Sequence, residues 1–330
     1  MNDQTHRSSV VLSCVIVNYR TPGFLIDCLP GLLAELSGLS ARIVIVDNHS
    51  ADQSVTILRD WIRQHDTEAR IDLIESPHNH GFASGNNIGI RYQPAELYLL
   101  LNSDTLIRPG AIRTLLDSAK QHPQAGLFSP RLEWPDGKGQ ESCFRYHSPV
   151  SEFTDAARTG FLSRLFAGWQ VPLPVQTAPC APQWTSFACV MIRDQVIREA
   201  GLLDEGYFMY FEDVEFCHRA RRHGWPVRHE PTARVVHLRG GSSPVKTDLA
   251  QKKRPPRYYY ESRARYFFQV HGRTGPLLAN LAWTAGRLVS WLRQLAGRAD
   301  MSAPDRQWAD IWIHWHTPMK SYTHPAKARP

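Results

Sequence analysis

The 330 residues are 42 % hydrophobic and 21 % charged, an ordinary globular balance with ample core material for one large α/β domain with an extension, or for two domains. No apolar run approaches the ~20 residues that span a bilayer, which excludes a membrane-spanning helix, and the six scattered cysteines form neither a CxxC pair nor a zinc-ligand spacing. The net charge of +7 is concentrated late, from Arg219 to Arg239 and again from Lys252 to Arg257, and suits anionic partners: phosphate esters, nucleic acid or an acidic membrane surface.

Val10 to Val17 reads as a buried strand ending at Asn18-Tyr19-Arg20. Thr21-Pro22 is a good helix start, and Leu25, Leu29, Leu32, Leu33 and Leu36 follow at helical spacing, with Pro30 expected to kink or restart the helix. Ala41 to Val46 forms a second strand that stops at Asp47-Asn48-His49-Ser50. Val55, Leu58, Trp61 and Ile62 mark a helix, and Ile71 to Ile74 a short third strand. The order β-α-β-α-β, with these crossover lengths, predicts a parallel sheet. Asn79-His80-Gly81-Phe82-Ala83-Ser84-Gly85-Asn86-Asn87 is expected to be a loop of small and amide residues before a helix, and free N–H groups there suit a diphosphate. It has neither the GxGxxG of a dinucleotide fold nor a P-loop spacing.

Tyr98 to Leu101 is a continuous apolar run that stops at Asn102-Ser103-Asp104. Such a run suits a strand buried on both faces of a mostly parallel sheet, whose carboxyl end opens on the ligand crevice. A carboxylate there can hold a divalent cation against a phosphate, or it can simply cap the helix that Pro109 and Gly110 introduce. From Arg131 to Gln183 the pattern dissolves into a Trp134-Pro135-Asp136-Gly137 turn and a proline-rich insertion over the sheet edge. Trp184 to Ile192 restores a strand, and a helix through Val196 and Ala200 ends at Gly201.

Tyr207, Phe208, Tyr210 and Phe211 then lead into Glu212-Asp213, the first turn of a helix running to His223. Acidic residues are favoured there by the helix dipole alone. A carboxylate at the mouth of a partly apolar pocket is also well placed as a general base. Pro231 to Leu238 forms a strand carrying His237, just before a glycine-rich turn.

Five motifs in order resemble glycosyltransferase family 2, and within it the bacterial rhamnosyltransferase-like branch. They are Val44-Ile-Val-Asp-Asn-His-Ser50, Asn79-His-Gly-Phe-Ala-Ser-Gly-Asn-Asn87, Leu99-Leu-Leu-Asn-Ser-Asp-Thr105, Leu203 to Asp213 and Ala233-Arg-Val-Val-His237. The resemblance implies a GT-A fold: an α/β domain over residues 1–243 with a mostly parallel central sheet flanked by helices. Residues 131–183 become an acceptor-side insertion, and residues 244–330 a basic, aromatic, mainly helical C-terminal extension. It implies an inverting hexosyltransferase that moves a sugar, with rhamnose a candidate, from a nucleotide-diphosphate donor to a hydroxyl of a glycan or polyprenyl-linked acceptor in cell-surface polysaccharide synthesis. Asn18, Tyr19, Asp47, Asn48, Asn79, Gly81, Asn86 and Ser103 match donor-binding positions. Asp104 and His237 match ligands of a divalent cation, Mg²⁺ or Mn²⁺, and Asp213 matches the catalytic base. Glu212 and Trp184 fall on the acceptor side. Asn102 departs from the family pattern by replacing the first carboxylate of Asp-x-Asp, which leaves one fewer charge on the cation and couples metal binding to the donor diphosphate.

A nucleotidyltransferase would also bind a nucleotide at strand ends, but Asn18-Tyr19-Arg20-Thr21-Pro22 is not its Gly-rich, Arg/Lys-bearing loop. A nucleic-acid-binding module would use the basic, aromatic stretch from Lys252 to Phe268, yet it leaves the carboxylate motifs unexplained, so nucleic acid is not expected as a partner. No signal peptide precedes Val10, so a cytoplasmic protein with reduced thiols is expected. Leu277, Leu281, Leu288, Leu292 and Leu295 share a helical face broken by Arg287 and Arg293. Two readings stand for this segment. Either the leucines cover the catalytic domain while the arginines face solvent, or, with Lys252, Lys253, Arg254 and Arg257, they make a peripheral contact with the inner face of the cytoplasmic membrane, the arginines lying in the headgroups.

Overall fold

The computed structural model describes residues 9–238, 253–297, 304 and 306–324. Strand β1 (Val10–Asn18) is central, pairing in parallel with β2 (Ala41–Asp47) on one side and β4 (Ala95–Asn102) on the other. The remaining strands of this sheet are β3 (Ile71–Glu75), β5 (Thr105–Ile107), β6 (Leu127–Glu133), β9 (Cys189–Arg193) and β10 (Val227–His237). The order is β3-β2-β1-β4-β9-β6-β10-β5. Only β9 and β5 run against their neighbours, so six strands share one direction.

Helices α1 (Pro22–Glu35), α2 (Ser54–His65) and α4 (Ala111–Gln121) cover one face of the sheet. The other face meets α3 (Gly81–Tyr92), α7 (Asp194–Ala200) and α8 (Glu212–Arg222). Strand β4 shows why its sequence is uniformly apolar: Leu97, Leu99 and Leu101 enter the first core, Tyr98 and Leu100 the second.

Several expectations need correction. Helix α1 does not restart at Pro30 but continues through it, because Leu25, Cys28, Leu29 and Leu32 bury its face and one missing N–H does not outweigh that burial. The stretch read as a loop from Asn79 to Asn87 is helical from Gly81, and its small residues serve packing: a Cβ at Gly85 or Gly89 would meet the Val17 or Val15 side chain of β1. The strand from Trp184 to Ile192 is two strands, β8 (Trp184–Thr185), paired with β7 (Cys143–Phe144), and β9. Between them the Ser186 hydroxyl accepts the Ala188 N–H at 3.3 Å, a local bond that competes with the ladder. The final strand starts at Val227, four residues before Pro231.

The proline-rich insertion also holds helices, α5 (Pro149–Ala157), α6 (Gly160–Leu165) and a 3₁₀ turn at Ala167–Trp169. Ser148 caps α5 through a reciprocal box with Ser151, at 3.1 and 2.9 Å, a signal that the serine pair carried in the sequence.

The C-terminal helices α9 (Arg257–His271) and α10 (Gly275–Leu295) form an antiparallel pair, and a short α11 (Gln307–Asp310) follows. Helix α9 buries Tyr266 and Phe267 in the second core, and Tyr260, Glu261 and Arg263 among the insertion and the C-terminal segments. Arg263 joins Glu152 of α5 at 2.7 Å and Asn280 of α10 at 2.7 Å, pinning insertion and extension together. Helix α10 lies on α5 so closely that a Cβ at Gly286 would strike the Phe153 carbonyl. The reading of α10 in which its leucines cover the catalytic domain is overturned, and both readings misplace Arg287. Arg287 is buried, Arg293 bonds the Arg158 carbonyl, and the leucines at 278, 281, 288, 292 and 295 are exposed. The basic cluster is likewise committed in part: Arg254 pairs with Asp310 at 2.8 Å and Arg257 with Glu261 at 2.8 Å, while Lys252 lies outside the described residues.

Candidate functional site

At the carboxyl ends of β1, β2 and β4 the chain opens into a cleft of about 1000 Å³. Tyr19, Asn48, Asn79, Gly81, Ser103, Asp104, Trp184, Glu212, Asp213 and His237 all line it, so the sheet gathers residues scattered over two hundred positions. Asn18, Asp47 and Asn86 stand behind the wall. Asn18 Nδ2 donates to Asp47 Oδ1 at 2.7 Å and to Ser50 at 3.2 Å, and Asp47 accepts the Ser50 N–H at 3.0 Å, which locks the ends of β1 and β2 together. Asn86 donates to the Phe82 carbonyl of its own helix at 2.9 Å.

Asn48 Nδ2 bridges Asn79 Oδ1 at 3.0 Å and the Gly81 carbonyl at 2.9 Å, while its own Oδ1 has no hydrogen-bond partner. A buried amide oxygen left open at the cleft wall is an acceptor ready for a ligand N–H or hydroxyl. Gly81 has φ +86°, and a Cβ there would collide with the Phe208 carbonyl, which accepts the Phe82 N–H at 2.9 Å. Only glycine lets the start of α3 approach the aromatic run so closely.

The cleft floor carries Asp104, in the turn after β4, and His237, the last residue of β10. Asp104 is 1 % exposed and both its carboxylate oxygens lack a hydrogen-bond partner. His237 Nε2 lies 3.5 Å from Asp104 Oδ1, too far for a good hydrogen bond, and its Nδ1 is also without a partner. A buried carboxylate left open beside an open imidazole is a costly arrangement in a free protein. One oxygen and one nitrogen donor group suit Mg²⁺ or Mn²⁺ with further ligands from a bound phosphate. No group of three or more His, Cys, Asp or Glu that fits a metal exists among the described residues, so the cation would depend on its ligand for the rest of its shell.

Opposite chemistry enters from the aromatic run. Tyr210 and Phe211 hold φ of 70° and 68°, a left-handed pair that costs of order 1–3 kcal/mol for each non-glycine residue. Helix α9 holds it in place: Ser262 donates to the Met209 carbonyl at 3.0 Å, Tyr207 to Gln269 at 2.5 Å, and Arg265 pairs with Asp204 at 2.8 Å. The turn delivers the N-terminus of α8, with Glu212 and Asp213, into the cleft. Burial, reinforced by the charge of Asp213, pushes the Glu212 carboxyl well above the usual carboxylate range. Asp213 is the more exposed of the two and also lines the cleft.

The insertion adds Phe144 and His147, and Trp184 of β8 stacks on Phe144 at 4.2 Å. Burial lowers His147 to about 4, against the opposing charge of Glu152, so the ring is neutral at physiological pH. Tyr258 and Tyr259 of α9 complete that side, which makes the C-terminal extension part of the cleft.

Sequence reasoning missed the chain's end. His324 lines the cleft and its Nε2 bonds the Asn79 carbonyl at 2.8 Å, Tyr322 bonds His80, and both rings pack on Phe208. Thr323 is tied to the buried Glu261 by two bonds of 2.9 Å. A contact spanning 245 positions has no local signature, and only the unexplained histidines and aromatics hinted at it.

Residues 13–160 match the family described as Glycosyl transferase family 2. The chain is 35 % identical over 215 residues to the low-salt glycan biosynthesis hexosyltransferase Agl10 of Haloferax volcanii, covering 64 % of this chain and 62 % of that protein. It is 30 % identical over 192 residues to the N-acetylglucosaminyl-diphospho-decaprenol L-rhamnosyltransferase of Mycobacterium tuberculosis, covering 56 % and 59 %. It thus spans about three-fifths of the length of either curated relative. Among solved structures, the mannosyltransferase PcManGT of Pyrobaculum calidifontis, in complex with GDP-Man and Mn²⁺, superposes with a TM-score of 0.55 at 12 % identity, over 94 % of this chain and 85 % of that one. The fold is of the GT-A type.

Proposed function

Because residues 13–160 match glycosyl transferase family 2, we propose that this chain transfers a sugar from a nucleotide-diphosphate donor to a hydroxyl of a glycan or lipid-linked acceptor, inverting the anomeric carbon, in cell-surface polysaccharide synthesis. Rhamnose is the first sugar to test. The observation that carries this reading is the open Asp104–His237 pair in the same cleft as Asp213.

The donor side is the wall of Tyr19, Asn48, Asn79, Gly81 and Ser103, with the open Asn48 oxygen offered to the nucleoside. Asn18, Asp47 and Asn86 act from behind, holding that wall in place. Asp104 and His237 would hold a divalent cation, which when bound neutralises charge on the leaving diphosphate. Asp213 takes the proton of the acceptor hydroxyl as its oxygen forms the new bond to the anomeric carbon. The old carbon–oxygen bond breaks on the opposite face and its electron pair leaves with the diphosphate. Attack from one face and departure from the other inverts the centre and uses no protein nucleophile. Neutral Glu212 is a hydrogen-bond donor on the acceptor side, where Trp184 and Phe144 offer a stacked aromatic surface to a sugar ring.

The test is a panel of UDP-, dTDP- and GDP-sugars with the full chain, with and without Mn²⁺ or Mg²⁺, read by nucleotide release. Asp213→Asn is expected to lower turnover by at least ~10² while nucleoside diphosphate still binds by calorimetry. Near-wild-type turnover in the folded variant removes Asp213 from the role of base. No release from any donor overturns the transferase reading itself.

A further inference from the structure

Helix α10 turns its small residues inward with Asn280, Trp283 and Arg287, and most of its leucines and Trp291 outward. Leu278, Leu281, Leu288, Trp291, Leu292 and Leu295 are 49 % to 66 % exposed. At 100° per residue they fall on one broad stripe, which is the reverse of what a core-facing amphipathic helix presents. The stripe does not end with the helix. Arg293 reaches the carbonyl of Arg158, the C-cap of α5, and α6 starts two residues later with Phe161 and Leu165 at 75 % and 64 % exposure, then Trp169 at 51 %. Isolated exposed leucines need no explanation, but nine large apolar side chains on three adjoining elements mark a contact surface.

The charge of these elements says what kind of surface it meets. Residues 158–169 and 272–297 contain no Asp or Glu, and they carry Arg158, Arg164, Arg273, Arg287 and Arg293. Of these, Arg158, Arg164 and Arg273 are exposed. Basic rims around an apolar stripe, with tryptophans at its margin, complement an anionic lipid surface, where leucines enter the acyl boundary and guanidinium groups stay with phosphates. No helix among the described residues is long and apolar enough to cross a membrane, so the helix would lie on the surface.

Its position relative to the cleft is the second argument. Helices α9 and α10 are antiparallel: Phe267 meets Gly275, Arg263 meets Asn280, and Tyr260 clusters with Trp283. The half of α10 from Leu288 onward therefore projects past the start of α9, where Tyr258 and Tyr259 line the cleft. On the insertion side, nine-residue α5 links His147 in the cleft to Arg158 at the stripe, a rise of about 13 Å.

We propose that the leucine and tryptophan face of α10, together with the exposed side of α6, docks on an anionic lipid bilayer and so brings the acceptor side of the cleft to that surface. The inference rests on the proposed transfer only for its purpose, and vesicle binding reads it without any turnover.

The experiment is co-sedimentation of the full chain with phosphatidylcholine vesicles, with and without phosphatidylglycerol, at low and high salt. Binding is expected to be at least ~10-fold tighter with phosphatidylglycerol at low salt and to weaken as salt screens the arginines. Leu288→Glu with Leu292→Glu, both on exposed positions, should lose at least ~10-fold in vesicle affinity and keep nucleotide release from a soluble donor. Phe161→Glu on α6 is the second variant and should weaken binding in the same direction. The proposal is overturned if the full chain stays in the supernatant with anionic vesicles, or if both variants pellet as the parent does. It is also overturned if sedimentation velocity shows a dimer that the double variant dissolves while vesicles bind neither, since the face then joins two copies. Vesicle binding without sugar transfer from any donor leaves docking standing and removes the transferase reading instead.

Discussion

Asp104→Asn separates a structural carboxylate from one kept open for a ligand. In the free protein Asp104 is 1 % exposed, with both oxygens lacking hydrogen-bond partners and His237 Nε2 at 3.5 Å. A buried unsatisfied group costs ~1–3 kcal/mol, and more when charged, so removing the charge while keeping the shape should stabilise the free protein by about 1–3 kcal/mol. That corresponds to a rise in Tm of about 1.5–4 °C in a chain of this size. The same change should abolish function. Mn²⁺ with a nucleoside diphosphate at a hundred times its Kd stabilises the parent by ~2.7 kcal/mol through mass action, and most of that gain should vanish in the variant. Differential scanning fluorimetry at pH 8 reads both effects, with Mn²⁺ alone, with UDP, dTDP or GDP alone, and with the two together. The parent should respond mainly to the pair, because two protein ligands leave the cation's shell to be completed by the nucleotide. A free variant less stable than the parent that still gains Tm from Mn²⁺ and nucleotide would refute the reasoning, and Asp104 would be a structural residue.

Two further outcomes follow from the same geometry. His324→Ala removes one hydrogen bond from the donor wall at Asn79 and should raise the donor KM about two- to tenfold with little change in kcat, the scale of a single neutral bond; an unchanged KM across the donor panel excludes the tail from the donor site. His147 is lowered to about 4 by burial, with the charge of Glu152 opposing, while the unfolded chain titrates near 6.5. Between those values the unfolded state binds more protons, so this contribution to stability is complete above pH 6.5 and is lost as pH falls towards 4. His147→Gln should flatten the Tm-against-pH curve in that window, and an undiminished slope assigns the acid sensitivity to other groups.

The strands and their polar carboxyl ends were legible because each lesson was local. An apolar run buried on both faces looks the same whatever follows it, and Asp47, Ser103 and Asp104 sit where parallel strands must stop. Glu212-Asp213 was legible for a similar reason: four aromatics before two acids at a helix start is a pattern of adjacent residues. The sequence also marked α10 as amphipathic, but not which side faced inward. One side is built mostly from small residues, among them Gly286, Ala279 and Ser290, and the other from leucines. Volume decides between them: α5 approaches so closely at Gly286 that only the small side fits, and the leucines are left outside. The buried Arg287 is beyond the reach of periodicity as well. So is the return of Tyr322, Thr323 and His324 to the donor wall, since Glu261 and Asn79 become their partners only when the whole chain has closed. Local chemistry determined where a site could form, and long-range packing decided which residues surround it.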